Sequence, residues 1–415
     1  MAFSDKFSKL KAYLITFLKW SVLGLLIGAW GGLLGAAFHH ALHFVTHLRT
    51  EYTWLIFGLP VAGLLSVGIY TFTRQRSNRG TNEVIDAVLS GGDVSAYIAP
   101  TIFLASAVTH LFGGSAGREG AALQIGASTA TFISRGLRLN KQDRRVLILC
   151  GMSAVFAGLF GTPLTATLFC MEFLSVGMIF SPALLPGYLA AYTASKVSGM
   201  LGVHAEGLLL ETAAVITLAN VWKFLILAVL VSFVGIFMCW LFHKAEHLAQ
   251  HHIPNAWLRI VIGGTVILIL TLLVGDQRYN GAGMDMALGA VEGNAQWFDF
   301  LLKMLFTAVT LAAGFKGGEI VPTFCVGATF GCVLGGLLGL DAGICGALGL
   351  IGLFCCVTNS PLASIILSIE MFGGANLHLF ALVCVVCFVL SGQSGLYSSQ
   401  MQIFHRTPTQ ANAKK

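Results

Sequence analysis

The chain has 415 residues, of which 56% are hydrophobic and only 10% charged, with a mean hydropathy of +0.82. Soluble domains carry roughly 25% charged residues, so this balance excludes a soluble globular protein and specifies an integral membrane one. The net charge of +6 is modest and the bases cluster in loops, a pattern of membrane topology and not of nucleic-acid binding.

Only helices and closed barrels satisfy the backbone in lipid. The apolar runs here are long and continuous instead of alternating, which predicts an all-α membrane fold. Most of the ten cysteines fall inside these runs. The one C-x-x-C, Cys384 to Cys387, has no second pair, so the cysteines read as small core residues and not as disulfides or metal ligands.

In chain order, residues 3–19 are basic and amphipathic, predicting a cytoplasmic surface helix in place of a cleaved leader. Residues 13–48 form one of the longest helical candidates and 54–73 the next, followed by a basic loop with Arg74, Arg76 and Arg79. A short helix is predicted over 80–89, then helices over 97–111, 119–133, 146–160, 163–173 and 184–201, with Arg135, Arg138, Lys141, Arg144 and Arg145 before residue 146. From about residue 218 the pattern restarts, with helices over 222–252, 257–273, 281–291, 298–313, 346–357, 361–372 and 377–390, and a polar tail over 406–415.

The restart is an internal repeat. Phe38-His39-His40-Ala41 matches Phe242-His243-Lys244-Ala245 at an offset of 204, Gln124-Ile125-Gly126-Ala127 matches Cys325-Val326-Gly327-Ala328 at 201, and Thr162-Pro163-Leu164 matches Ser360-Pro361-Leu362 at 198. Equivalent loops differ in charge: the five bases of 135–145 correspond to Gly339-Leu340-Asp341-Ala342, which has none. The two repeats, 1–217 and 218–415, therefore face opposite ways across the bilayer, an inverted-topology architecture with its site at the midplane.

Each repeat is interrupted by a glycine-rich break that opens a helix. The first is Gly113-Gly114-Ser115-Ala116-Gly117-Arg118-Glu119-Gly120, and the second is Gly314-Phe315-Lys316-Gly317-Gly318-Glu319-Ile320-Val321. Helix N-termini present free amides and the positive dipole end, so both breaks aim anion-binding ends at the midplane. A tethered carboxylate such as Glu119 can occupy that place instead of a dissolved anion, and protonation releases it. An ionisable residue at bilayer depth is a functional candidate by default.

The motifs Gly117-Arg118-Glu119-Gly120, Gly317-Gly318-Glu319-Ile320-Val321-Pro322 and Gly395-Leu396-Tyr397-Ser398 resemble those of the CLC family of anion channels and anion/proton antiporters, over about residues 13–397. The resemblance implies that Glu119 is gate and proton carrier. It also implies that Gly117, Arg118, Gly120, Gly318, Ile320, Val321 and Tyr397 surround the anion, with Thr81 aligned to the family's serine. A homodimer with one pathway per subunit, no cofactor, a bacterial inner-membrane location and cytoplasmic termini follow from it.

Three departures point to the family's fluoride/proton branch. Gly80-Thr81-Asn82 replaces the serine motif, Phe173 stands where chloride/proton antiporters have an internal glutamate, and Glu319 adds an acid to the second break. A protonated carboxyl donates a hydrogen bond that small, strongly accepting fluoride uses best. Chloride/proton exchange and a passive channel are the alternatives. His39, His43 and His47 share a helical face, which admits a metal transporter, although interfacial histidines are the plainer reading. Glu172 and Glu370 read as structural. No nucleophile–base pair appears at the breaks, which argues against an enzyme.

Overall fold

The computed structural model describes residues 2–75, 79–205, 207–210, 214 and 216–402, with side chains from residue 8 onward; Arg76 and the tail 406–415 lie outside the described residues. The first run of helices is α1 (Ala2–Glu51), α2 (Leu59–Phe72), α3 (Thr81–Ser90), α4 (Ile98–Leu111), α5 (Glu119–Gly136), α6 (Lys141–Phe160), α7 (Pro163–Glu172) and α8 (Leu184–Met200). The second is α9 (Val221–His252), α10 (Ala256–Val274), α11 (Met284–Val291), α12 (Asp299–Ala313), α13 (Ile320–Leu337), α14 (Ala342–Thr358), α15 (Pro361–Phe372) and α16 (Leu377–Ser391). Long, long, short, broken and proline-initiated helices recur in the same order, as the repeat requires. Among the described residues, α1, α2 with its leading turn, α9, α10 and α13 are long and apolar enough to cross a membrane.

Two expectations change. Residues 3–19 are not a separate surface helix but the start of α1, whose 50 residues run unbroken for about 75 Å. Nothing between its basic and apolar parts stops a helix: no proline falls there, and the first glycine is Gly24. The basic stretch before residue 146 is also largely helical. Arg135 lies in the last turn of α5, and α6 begins at Lys141 because Asn140 accepts the Asp143 N–H at 2.9 Å as its cap. Asp341 caps α14 in the same way through the Ile344 N–H at 2.8 Å. Arg135 and Arg144 converge on Asp93 after α3.

Small residues let the core helices approach closely, as membrane packing favours. Gly126 faces Gly151 between α5 and α6, and Gly327 faces Gly349 between α13 and α14. The ten cysteines are buried and none is in a disulfide.

The halves also cap one another. Glu172, at the end of α7, accepts the Leu362 and Ala363 N–H groups of α15 at 3.1 and 2.8 Å. Glu370, on α15, accepts the Leu164 and Thr165 N–H groups of α7 at 3.0 and 2.8 Å. Each proline-initiated helix start thus has its orphan donors satisfied by an acid from the other half. We expect Glu172→Ala to destabilise the protein by about 1–3 kcal/mol, since it strands buried donors. Glu370→Ala should cost less, because Glu370 is only partly buried whereas Glu172 is 4% exposed; thermal unfolding in detergent gives the order.

Candidate functional site

The chain leaves α4 through Gly113 (φ 84°) and re-enters a helix with Glu119 as the first residue of α5. It leaves α12 through Gly314 (φ 103°) and enters α13 after Glu319, the N-cap. The two breaks cross as an antiparallel bridge. The Gly117 N–H donates to the Gly318 carbonyl at 2.6 Å, and the Gly318 N–H returns to the Gly117 carbonyl at 2.7 Å. The exchange repeats further out, where Ser115 N–H donates to Thr310 Oγ1 at 3.0 Å and Lys316 N–H to Thr109 Oγ1 at 3.3 Å. Every partner in these exchanges is related by the repeat offset of 201.

Glu119 is fully buried, and its carboxylate reaches across the bridge. Oε2 accepts the Val321 N–H at 3.2 Å, and Oε1 accepts the Arg118 N–H at 3.1 Å. An acid of the first half is therefore seated on the N-terminus of α13 in the second half, where amides and dipole favour an anion. The glycines make the seat. A Cβ on Gly318 would lie 2.7 Å from Glu119 Oε2, and one on Gly120 would lie 3.1 Å from Thr81 Oγ1. Gly117, Gly318 and Val321 are thus gathered at the carboxylate, Thr81 stands against Gly120, and Ile320 is fully buried beside Val321.

Tyr397 is buried, its ring 5.7 Å from that of Phe173 and edge-on. Its hydroxyl has no hydrogen-bond partner among the described residues and lies within electrostatic range of Glu119 and Glu319. Phe173 is fully buried and stacked on Phe169 at 4.9 Å, so this position cannot hold a proton.

Two cavities approach the crossing from opposite faces. One, of about 710 Å³, is lined by Glu319 together with Lys316, Glu246 and His243. Glu319 occupies the N-cap of α13, yet its side chain makes no capping hydrogen bond. It is turned to the cavity. The other, of about 1180 Å³, reaches Arg118 and Val321. Arg118 packs over the Phe160 ring at 5.1 Å and stands 3.5 Å from His39 Nδ1. His39, His43 and His47 line this same cavity at the end of α1. Among the described residues no group of three His, Cys, Asp or Glu side chains could hold a metal.

Sequence reasoning passed over Lys303. It is fully buried on α12, and Nζ donates to Ser115 Oγ at 3.0 Å, to the Tyr279 carbonyl at 3.1 Å and to the Gly281 carbonyl at 2.7 Å. A lone lysine inside an apolar helix was the signal available. It ties the first break to the loop before α11.

Two inverted runs of helices, broken where they cross and opened by a cavity on each face, define a multi-pass membrane protein of the anion channel and transporter class. The chain belongs to the voltage-gated chloride channel family, whose model matches residues 61–392. It is 33% identical over 390 residues to the chloride/fluoride channel protein of Pseudomonas syringae pv. tomato, covering 92% of this chain and 86% of that one. It is 26% identical over 431 residues to the H(+)/Cl(-) exchange transporter ClcA of Vibrio vulnificus, covering 93% and 89%. The crystal structure of a CLC-type fluoride/proton antiporter superposes with a TM-score of 0.89 at 33% identity, covering 93% of this chain and 98% of that one.

A methyl group at position 318 would collide with both the seated carboxylate and the Gly120 amide. Gly318→Ala should therefore expel Glu119 from the Val321 N–H and lower stability by about 1–3 kcal/mol. A crystal structure of the variant that keeps this hydrogen bond would contradict the seat described here.

Proposed function

We propose that the protein is a fluoride/proton antiporter that exports fluoride, with Glu119 as gate and proton carrier. The observation that carries the reading is the Glu119 carboxylate held by the Val321 amide at the crossing of the two breaks. Ionised, it fills an anion's place; protonated, it gives up the charge that holds it and yields to a permeating anion. Charge-assisted hydrogen bonds are roughly twice as strong as neutral ones, so protonation is the step that opens the seat. Around the admitted anion we place the amides of Gly318, Ile320 and Val321, the Tyr397 hydroxyl, Thr81 and the walls formed by Gly117, Arg118 and Gly120. The unpartnered Tyr397 hydroxyl supports that assignment, since it can donate to an anion without breaking a bond.

Fluoride is favoured by Glu319 and Phe173 and by the 33% identical relatives named above. Chloride/proton exchange is the second reading, favoured by the 26% identical relative. Glu319, without a capping bond and facing the opposite cavity, is the proton relay that replaces the missing acid at Phe173. The repeats 1–217 and 218–415 act as the two halves of one pathway. The arginine-rich face is cytoplasmic, with both termini on it, in the inner membrane of a bacterium, and the working unit is a homodimer.

Liposomes loaded with fluoride or chloride test the reading. Fluoride efflux should drive proton uptake, chloride efflux should be much slower, and Glu119→Gln should abolish the proton flux. Equal efflux of both ions favours the chloride reading, and anion flux without proton uptake in the wild type indicates a channel.

Glu319→Gln should leave the protein folded while slowing coupled exchange about a hundredfold, the loss expected of a proton-transfer group. Unchanged rate and stoichiometry, with proton and fluoride fluxes read on one sample, would remove the relay.

A further inference from the structure

The vestibule lined by His39 and Arg118 contains a second polar pair that the gate does not use. Arg49, in the last turn of α1, is 6% exposed. Among the described residues its guanidinium makes a single hydrogen bond, Nη1 to Gln277 Oε1 at 3.2 Å, and its buried Nε has no partner. Among the described residues no carboxylate forms an ion pair with it. A buried charge without a counter-charge is costly.

Two glycines keep the guanidinium uncovered. A Cβ on Gly281 would stand 3.1 Å from Arg49 Nη2, and one on Gly113 would stand 3.4 Å from Arg49 Cδ. His110, three residues before Gly113, is 3% exposed and lines the same cavity. Its Nδ1 lies 2.8 Å from the Ser106 carbonyl. A carbonyl only accepts, so Nδ1 carries the hydrogen and the buried Nε2 is left without a partner among the described residues.

We propose that Arg49 and His110 form an anion station in the vestibule wall, separate from the Glu119 seat, that binds a small halide such as fluoride or chloride together with a proton on His110 Nε2. The charged groups acting on His110 are Arg118 on the α5 side, Arg49 on α1 and Lys303 on α12, and all are cations. Burial first, and then this positive charge, disfavour a second hydrogen on the imidazole until an anion arrives to offset the charge. With the anion present, Nε2–H becomes a donor to it. Anion and proton therefore bind as a linked pair, and the anion's departure releases the proton into the vestibule that reaches Val321. This deepens the antiport reading and rests on it for its physiological sense, because this is the face from which fluoride leaves and protons enter.

Sodium fluoride and sodium chloride titrated calorimetrically into the purified protein, in buffers of different ionisation heat, test the station. We expect a class of sites whose occupation takes up protons. Arg49→Gln should weaken that class about tenfold or more, the loss of a charge-assisted contact, and Arg49→Lys should restore part of it. His110→Phe should remove the proton uptake while leaving weaker anion binding. Identical isotherms in wild type and Arg49→Gln, or wild-type binding without proton uptake, would overturn the proposal. Should Arg49→Gln not fold, His110→Phe and Arg49→Lys carry the test, and unchanged proton uptake in His110→Phe overturns it. A protein that moves no fluoride in liposomes but loses this class in Arg49→Gln keeps the station and refutes the antiport reading.

Discussion

A helix broken at bilayer depth exposes backbone donors and acceptors that lipid cannot satisfy, at a cost of several kcal/mol for each group. Everything at this site depends on how that cost is avoided. The two breaks satisfy one another: Gly117 and Gly318 exchange both hydrogen bonds, and Ser115 and Lys316 donate to threonines of opposite halves. The crossing exists because there are two breaks. Glycine is required where the strands pass so closely, since a Cβ on Gly318 meets the Gly120 amide at 2.7 Å. The amides of α13 beyond the crossing remain available, and the Glu119 carboxylate takes the one on Val321.

The scaffold is symmetric, but its chemistry is not. At the repeat offset of 201, Arg118 corresponds to Glu319 and Glu119 to Ile320. One half presents a base followed by an acid, and the other an acid followed by an apolar residue. Arg118 therefore lines the cavity on one face and Glu319 the cavity on the other. A symmetric fold gives two matched approaches to one seat, and this exchange of residue types makes the approaches unequal. Directional coupling needs that inequality.

The helices, the repeat and the breaks were legible in the sequence because each is written in local pattern: apolar length, proline at helix starts, glycine at interruptions. Glu119 was legible for the same reason, as an acid at a glycine-rich helix start. The reciprocal caps of Glu172 and Glu370 were not, because each partner lies about half the chain away and only the folded repeat brings them together. The basic face was legible as charge, but Asn140 and Asp93, which turn it into helix ends and ion pairs, act through contacts that composition does not encode. Residues 3–19 misled because amphipathic character changes along α1 without any signal that stops the helix.

Lys303 and Arg49 bear on why an anion enters at all. Placing an anion at bilayer depth costs heavily unless fixed positive charge or dipoles offset it. Lys303 is held by a hydroxyl and two carbonyls, which satisfy its hydrogens without cancelling its charge. Arg49 is held by an amide oxygen. By contrast, Arg278 on the same side is paired with Asp299 at 2.9 Å. Lys303, which donates to Ser115 of the first break, and Arg49 thus keep their field, while Arg278 is neutralised. Neutral acceptors give these side chains a fixed place without cancelling their charge, and at the point where the Glu119 carboxylate is seated the neighbouring Arg118 guanidinium adds to the α13 dipole. A field that holds a carboxylate in place favours any anion at that point.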